Sequence, residues 1–327
     1  MGNWLDFIAK PMGMFLNFIY NTVAFKNYGM AIIFFTLIVR AVILPLTIKQ
    51  YKSTANMQKI QPLIDEIQKK YKNDKEKLNQ EMMKIYSEHK VNPAGGCLPL
   101  LIQMPIILSL YWVISRPLYY MLGKSNDVIA KLFTFVPAEF AKVTGNKDLI
   151  ILNYFSSNKD KLSLVADMLK PQEVLNLHFL GLNLGLQPSF DTANAAILGF
   201  QFFGLLLIPI LAALTTYLSF KMSMAAQPKG QNNQMAASMN GSMSFVMPLM
   251  TGFFAFSVPA GLGLYWIVGN LIQMLQQLYL NKYVLNINKS TPAVATAGGP
   301  NETKSLESKD DSKQVNRIEN KKSSKKK

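Results

Sequence analysis

One arginine stands in the middle of an apolar stretch that is long enough to cross a membrane. Residues 28–48 read YGMAIIFFTLIVRAVILPLTI, and Arg40 is the only charged residue among them. In a helix with about 1.5 Å of rise per residue, Arg40 would lie roughly 18 Å from one end and about 12 Å from the other. Placing a guanidinium in lipid costs at least about 2.5–3.5 kcal/mol, and arginine cannot lose its proton to avoid this cost. We therefore expect a hydrated cavity that receives a polar or negative group; a structural arginine satisfied by backbone carbonyls, or a tilted helix, is the alternative.

Several polar residues in other apolar stretches could share a cavity with Arg40. Thr36 lies one turn before Arg40 on the same helix face. The remaining candidates are Gln103, Gln201, Thr215, Asn270 and Gln273, with Trp266 as a wall. Threonine, glutamine and asparagine also commonly bond one membrane helix to another, so each candidate has a purely structural alternative.

The sequence has no pattern typical of a nucleotide site, a metal centre or a catalytic triad. It contains no GxxxxGK[ST] loop, and its two histidines, His89 and His178, have no cysteine or carboxylate cluster around them. Cys97 is the single cysteine, which excludes an intramolecular disulfide. We expect neither an enzyme nor a cofactor, so any action on a substrate must come from the environment that the protein provides.

The composition indicates an all-α, polytopic membrane protein. The chain has 327 residues, a net charge of +15 and 50% apolar residues, and long apolar runs alternate with lysine-rich segments. Proline and glycine in Val258–Gly261 predict a tight turn between the last two of five membrane spans. The predicted spans are residues 28–48, 97–115, 195–219, 243–257 and 260–281, within a core of residues 28–285.

Two segments outside the spans have helical spacing. Residues 1–27 place apolar side chains on one face, which predicts an amphipathic helix in the membrane interface. In residues 50–92, apolar side chains recur every three or four positions on both sides of Asn73. This predicts an antiparallel helical hairpin with its tip near Asn73.

Three further segments are more polar. Residues 119–194, called here the long connection, contain short apolar runs, which predict short helices packed on the membrane surface. Residues 221–242 are expected to be a polar loop. Residues 286–327 are rich in lysine, serine and asparagine and are expected to be a disordered basic tail.

The distribution of lysine predicts the orientation. The helical hairpin and the tail are the basic segments, so both should face the cytoplasm, with the N-terminus outside and an odd number of spans. The N-terminus shows no cleavable signal pattern. Such basic charge marks cytoplasmic loops and anionic surfaces, so we expect a lipid bilayer and no DNA as partner; RNA within a ribosome stays open.

Four pieces of the sequence carry a family resemblance. They are TLIVRAVILPLTIKQ around Arg40, the helical hairpin that follows it, NPAGGCLPLLIQMPIILSLY in the second span, and PAGLGLYWIVGNLIQMLQQ in the fifth. In this order they resemble the YidC/Oxa/Alb membrane protein insertases, and most closely the five-span bacterial form. The resemblance covers roughly residues 25–285.

The resemblance implies a function and a site. It implies an insertase and chaperone for nascent membrane proteins in the bacterial plasma membrane, with five helices around a hydrophilic groove open to cytoplasm and lipid but closed outside. Arg40 would lie in the groove, residues 50–92 would receive the substrate, and the basic tail would contact the ribosome. The chain departs from the family in lacking a lipoprotein signal and a large periplasmic domain, and its long connection is longer than expected.

Two other function classes remain open at this stage. An anion or small-molecule transporter would use Arg40 as a counter-ion, although the two halves of the chain show no internal repeat. A docking scaffold for other membrane proteins would need the helical hairpin but not Arg40. Clients, the oligomeric state and action alone or beside the Sec translocon are left open.

Overall fold

The computed structural model describes residues 5–92, 98–140, 146–190, 199–225 and 234–284, and these are mostly helical. The predicted basic tail lies outside the described residues. The α-helices are α1 Asp6–Thr22, α2 Tyr28–Lys70, α3 Lys75–Glu88, α4 Leu98–Ser115, α5 Pro117–Tyr120, α6 Asn126–Thr134, α7 Lys147–Ser157, α8 Phe200–Ala225, α9 Gln234–Phe256 and α10 Ala260–Tyr279. Two 3₁₀ helices, Lys159–Val165 and Pro171–Glu173, and a π-helical turn, Leu280–Val284, complete the helical elements.

Helix α2 joins two elements that the sequence analysis separated. The predicted span 28–48 and the first arm of the predicted hairpin form one helix of 43 residues, which corrects the boundary near residue 49. The Asn27 side chain caps its N-terminus by accepting a 3.0 Å hydrogen bond from the Met30 amide. The change from apolar to lysine-rich sequence does not interrupt the helix. Apolar side chains suit lipid and lysine suits water, but both kinds of residue are compatible with a helix.

The predicted helical hairpin is present as an antiparallel pair. Helix α2 ends at Lys70 and α3 starts at Lys75, after Asp74 accepts a 3.0 Å hydrogen bond from the Lys77 amide. The pair has its own small core, in which Ile60, Ile64, Ile85 and Val91 are buried. The membrane side on which this hairpin lies remains a prediction.

Two helices are long and apolar enough to cross a membrane. By length and composition these are Tyr28–Met57 in α2 and Phe200–Ser223 in α8, among the residues that the structure describes. Gln103–Ser115 and Phe245–Phe256 are shorter apolar helices. The five-span arrangement therefore stays a prediction.

The prediction of a polar loop at residues 221–242 is wrong for most of that segment, which is helical. Helix α8 continues to Ala225, and α9 begins at Gln234, well before the predicted start of the fourth span at residue 243. Methionine, alanine and glutamine are good helix formers, so polarity alone did not indicate a loop here.

The long connection contains the predicted short helices and also a small β-hairpin within an otherwise helical fold, which agrees with the predicted all-α class. Strands β1 (His178–Phe179) and β2 (Leu182–Asn183) pair antiparallel, with Phe179 opposite Leu182. Leu180 and Gly181 form the two-residue turn with φ of 50° and 79°. Positive φ at both positions is typical of a type I′ turn, and its Gly181 was the one sequence signal for it.

The long connection is packed into the main apolar core. Leu132, Leu149, Ile151 and Phe155 are each at most 1% exposed. They belong to one cluster with residues of α1, α2 and α4. The predicted amphipathic helix is present as α1, which buries Ala9, Gly13, Leu16, Ile19 and Tyr20 against this core. Its placement in the membrane interface remains a prediction.

Backbone carbonyls of the long connection cap the starts of α2 and α10. The Asn176 carbonyl accepts from the Tyr28 amide at 3.1 Å, at the start of α2. The carbonyls of Leu186 and Leu184 accept from the Ala260 and Gly261 amides, at 2.8 and 2.9 Å, at the start of α10. The first amides of a helix have no partner within it, so these bonds attach the connection where the helices need acceptors.

Asp148 is a buried carboxylate that holds the end of α4 to α7. It is 1% exposed, accepts from the Tyr119 amide at 3.0 Å, and lies 3.9 Å from Arg116 Nε. Burial raises the pKa of the Asp148 carboxyl to about 6, and the Tyr119 amide and the Arg116 guanidinium oppose this rise only in part.

The pKa of Asp148 predicts a pH dependence of stability. Because the folded pKa lies above the unfolded value near 4, the stabilising contribution is full below pH 4 and is lost as pH rises through about 6. The loss is of the order of 3 kcal/mol for this interval. Wild type should therefore lose thermal stability relative to Asp148→Asn between pH 4 and pH 7 in detergent. A difference in melting temperature that is constant with pH would contradict the assignment.

The small core of the helical hairpin predicts local destabilisation by Ile64→Ala. Ile64 is 3% exposed, and its truncation should cost about 2 kcal/mol or more in a core of this kind. Amide hydrogen exchange in α3 should then accelerate by about 30-fold, while α4 to α10 stay unchanged. Leu63→Ala is the matched control, since the adjacent side chain is 39% exposed. Equal acceleration in both variants would show that Ile64 has no special packing role.

Candidate functional site

Arg40 lies on α2 opposite the middle of α10. Helix α10 has a glycine at the contact: a Cβ placed on Gly269 would lie 3.3 Å from Arg40 Nη2. The small residue therefore leaves room for the guanidinium between the two helices. Arg40 is half-buried, so the charged group is covered by neighbours without being sealed away.

Two glutamines of α10 contact Arg40. Arg40 Nη2 donates to Gln273 Oε1 at 3.4 Å, and Gln276 Nε2 donates to the Arg40 carbonyl at 3.5 Å. Both distances are at the long limit of hydrogen bonding. A guanidinium has five N–H donors, and the Gln273 contact is its one side-chain hydrogen bond within the described part of the chain. The site thus holds a cation with most of its donor capacity available to another polar group.

No carboxylate neutralises Arg40 within the described residues. The two ion pairs found there, Arg116–Asp148 and Lys124–Glu173, both involve the long connection or the end of α4. The electrostatic neighbours of Arg40 are instead the hydroxyl groups of Tyr265 and Tyr51. A positive charge with only neutral polar neighbours attracts an anionic or strongly dipolar group.

Gln103 reaches the same region from α4 through Tyr265. Gln103 Nε2 donates to the Tyr265 hydroxyl at 3.2 Å. Since Tyr265 is also an electrostatic neighbour of Arg40, this bond brings α4, α10 and α2 together around one polar group.

Asn270 connects α10 to α8. Its Nδ2 donates to Thr215 Oγ1 at 3.2 Å and to Thr216 Oγ1 at 2.8 Å. Two turns further along, Gln277 Nε2 donates to the Met222 carbonyl at 2.9 Å, and Ser223 Oγ donates to Gln277 Oε1 at 3.2 Å. The α8–α10 contact is thus held by two sets of polar bonds, and Arg40 lies against the adjacent face of α10, at Gly269 and Gln273.

The structure brings together most, but not all, of the residues selected from sequence. Gln273 contacts Arg40 directly, and Gln103 is hydrogen-bonded to Tyr265, which is a neighbour of Arg40. Thr215 and Asn270 are hydrogen-bonded to each other. Trp266 packs against the main apolar core.

Thr36 and Gln201 are placed differently. Thr36 is 1% exposed, and its hydroxyl donates to the Ile32 carbonyl at 2.6 Å, so it packs within α2 and does not line an open cavity. Gln201 and Thr215 are both on α8, about 21 Å apart at the rise of a helix, which puts Gln201 far from the partners of Arg40. The residue type of Gln201 suited a polar cavity, but it did not indicate the position of Gln201 along the axis of α8.

Several contact residues were not selected from sequence. Tyr265 and Tyr51 have hydroxyl groups, but they lie in apolar or basic stretches where a tyrosine does not indicate a polar site. Gly269 has no side chain, so its residue type does not indicate a contact with Arg40. Gln276 and Gln277 follow Gln273 in LIQMLQQ, and their spacing from Asn270 could have indicated two polar faces on α10. Among the described residues, no group of three or more His, Cys, Asp or Glu could hold a metal ion.

Comparison with known proteins identifies the family. Residues 18–288 match the family described as 60Kd inner membrane protein. The chain is 34% identical to a membrane protein insertase YidC of Clostridium perfringens, over 78% of each chain, and 31% identical to YidC 2 of Bacillus anthracis, over 86% of this chain and 82% of the relative. It is also 31% identical to a YidC of Pelobacter propionicus, of which it spans 40% of the length.

The half-buried cation predicts that water reaches this site. In a Cys97→Ser background, a cysteine at Gln273 should react with a water-soluble thiol reagent at least several-fold faster than a cysteine at Thr36. The physical reason is that the thiolate forms only in contact with water, and Thr36 is 1% exposed. Labelling rates of the two variants in membrane vesicles give the comparison. Equal, slow labelling at both positions would mean that Arg40 lies in a dry site.

Proposed function

This chain belongs to the YidC/Oxa/Alb family of membrane protein insertases, and we propose that it inserts client segments through a polar groove centred on Arg40. The observation that carries this proposal is the unneutralised, half-buried guanidinium between α2 and α10. The insertase activity is also that named for its curated relatives.

The groove addresses the costly step of insertion. A client with one apolar segment must move its polar flank across the membrane, where each unpaired polar group costs several kcal/mol. Arg40 offers such a flank a positive charge and free N–H donors partway across. Acidic flanks should gain most, because hydrogen bonds to charged partners contribute about 1.5–3 kcal/mol.

Release of the client needs no nucleotide in this scheme. Once the flank has crossed, the apolar segment leaves the groove for lipid, and this transfer yields about 25 cal/mol for each Å² of apolar surface removed from water. For a segment of about 20 residues, which is the length that spans a bilayer, the gain exceeds the cost of a short flank. The chain would thus act without the chemistry of an enzyme.

The polar contacts are unevenly distributed along the helices, which supports a groove open on one side. At the starts of α2 and α10, the long connection supplies capping carbonyls and buried apolar side chains. Beyond Arg40, towards the helical hairpin, the helices present Gln273, Gln276, Tyr51 and Ser223. We place the closed end outside and the open end at the cytoplasm, with the N-terminus outside, which matches the lysine-rich character of the hairpin.

The complete arrangement includes five spans formed by α2, α4, α8, α9 and α10, with α1 in the interface. Helix α8 supports a lipid-facing position, since Phe203, Leu207, Ile210 and Leu214 are exposed at helical spacing. Nascent membrane proteins are the proposed clients, the helical hairpin their first contact, and the basic tail the contact with the ribosome. Action beside the Sec translocon is tested by whether insertion of a given client requires that translocon.

Substitution of Arg40 tests the proposal most directly. Arg40→Ala should reduce insertion of a single-span client with an acidic flank by about tenfold, the equivalent of one charged hydrogen bond. A client with an uncharged flank of equal length should lose much less. Arg40→Lys should restore the acidic-flank client if charge is what matters, and restore little if the bidentate fork is needed. The measurement is protease protection of the flank in proteoliposomes.

A crosslinking arm distinguishes the groove from the alternatives. A photoreactive residue at Gln273, on the groove face of α10, should crosslink to a ribosome-bound client when its apolar segment emerges, and the yield should fall in Arg40→Ala. The same residue at Leu214, exposed on α8, serves as a lipid-facing control. Wild-type insertion in Arg40→Ala for both clients, with crosslinks confined to the hairpin, would contradict the groove and favour a docking scaffold.

A further inference from the structure

Two large apolar side chains stand at exposed loop positions where the backbone disfavours them. Phe25, between α1 and α2, is 86% exposed with φ of 52°, and Leu180, in the turn of the β-hairpin, is 83% exposed with φ of 50°. Positive φ is rare for residues other than glycine, asparagine and aspartate. A bulky apolar residue at such a position is unfavourable in water for both its backbone and its side chain.

The turn of the β-hairpin makes this cost clearest. Turns with positive φ at both central residues favour Asn-Gly or Asp-Gly, and here the sequence is Leu180-Gly181. Asparagine would suit the backbone and the solvent better. Neither the turn nor the protein interior explains the leucine, so its side chain is better suited to an apolar environment outside the chain.

The two tips are fixed to each other by contacts at their bases. Asn27 Nδ2 donates to the His178 carbonyl at 2.9 Å, and the Tyr28 amide donates to the Asn176 carbonyl at 3.1 Å. The Phe179 ring packs directly on Gly29, where a Cβ would clash. Phe25 and Leu180 therefore project from one connected base and not from independent loops.

The base lies where two apolar helices begin. It caps α2 at Tyr28, and the Leu182 side chain packs directly on Gly204 in the second turn of α8. The exposed apolar stripe of α8 starts beside it, at Phe200 and Phe203, which are 80% and 68% exposed. Lys26, which follows Phe25, is exposed as well. Apolar tips next to a lysine, at the end of membrane-length helices, match the boundary between acyl chains and phosphate groups.

We propose that Phe25 and Leu180 insert into the bilayer at the acyl–headgroup boundary of the outer leaflet, with Lys26 at the lipid phosphates. The inserted tips anchor the long connection to the membrane and fix the starts of α2 and α8 relative to it. This inference rests on the membrane placement in the proposed function, and it adds a lipid-binding surface separate from the Arg40 groove.

Spin-label accessibility tests the anchor in the full-length protein. In a Cys97→Ser background, labels are attached to cysteines at Leu180, at Phe25 and at two control positions, in liposomes of phosphatidylethanolamine and phosphatidylglycerol. Ile210, 58% exposed on α8, reports the lipid-facing span, and Met83, 63% exposed on α3, reports an apolar side chain expected in water. The readout is the ratio of collision with oxygen, which concentrates in lipid, to collision with a water-soluble nickel chelate.

The expected result is a ratio at Leu180 and Phe25 several-fold above that at Met83 and below that at Ile210. A ratio at Leu180 and Phe25 equal to Met83, with a high ratio at Ile210, would overturn the anchor alone. A low ratio at Ile210 would instead contradict the membrane placement of α8 in the proposed function. The liposomes contain no other protein. A low oxygen-to-nickel ratio at both tips would therefore show that they do not enter lipid, and a protein partner would then be the alternative occupant.

Leu180→Asn gives a second test that does not depend on labelling the turn. Asparagine fits positive φ, so the variant should fold at least as well as wild type in detergent. In liposomes, the label at Phe25 should nevertheless become several-fold more accessible to the nickel chelate, since its partner tip no longer enters the lipid. Unchanged accessibility at Phe25 would overturn the proposal of a joint anchor.

Discussion

The rest of the structure depends on the constraint that Arg40 imposes: a permanent positive charge in an apolar helix must be surrounded by groups that tolerate it. Within the described residues, the chain meets this constraint with neutral polar groups. In the proposed function this keeps Arg40 available, because a carboxylate would form a closed ion pair and leave little affinity for a client. Gln273 and Gln276 face α2, whereas Asn270 and Gln277, seven residues apart, face α8. Helix α10 thus has one face that keeps Arg40 available and another that bonds it firmly to its neighbour.

The two ends of the helices satisfy their polar groups by different means. At the starts of α2 and α10, carbonyls of residues 176, 184 and 186 complete the backbone hydrogen bonds, and the surrounding side chains are apolar and buried. Such an end excludes water, since its polar groups are already paired. Towards the helical hairpin, side chains provide the polar groups, and these can exchange partners with water or a client. In the proposed function, the long connection therefore contributes to directionality without contacting Arg40.

The sequence predicted those features that arise from local periodicity and from single unusual residues. Arg40 as an unusual charge and the turn near Asn73 both follow from the type and spacing of nearby residues. Gln273 was one of several polar candidates in other spans, and its contact with Arg40 came from the structure. The membership of the chain in the insertase family was confirmed by comparison with known proteins. The predicted boundary near residue 49 divides one continuous helix, residues 28–70. The change from apolar to lysine-rich residues there marks a change of environment and not the end of a helix. The capping carbonyls depend on contacts between residues far apart in the sequence, such as Tyr28 with Asn176 and Ala260 with Leu186, and local patterns contain no information about them. The β-hairpin is local, but its Leu-Gly turn lacks the asparagine or aspartate that typically indicates such a turn.

Arg40 and Leu180 show that a residue in conflict with its local surroundings can indicate what lies outside the chain. Arg40 is too polar for its helix, and Leu180 is too apolar and too bulky for its turn. In a protein whose local preferences agree with its fold elsewhere, such conflicts concentrate at sites with an external partner. The two proposed partners differ in kind: a polar client flank would relieve the first conflict only transiently, whereas lipid would relieve the second permanently. A chain that must release its clients while staying fixed in the membrane needs both. Arg40 lies within α2, about three turns after the N-terminus of that helix, and Leu180 belongs to the β-hairpin that packs beside that N-terminus.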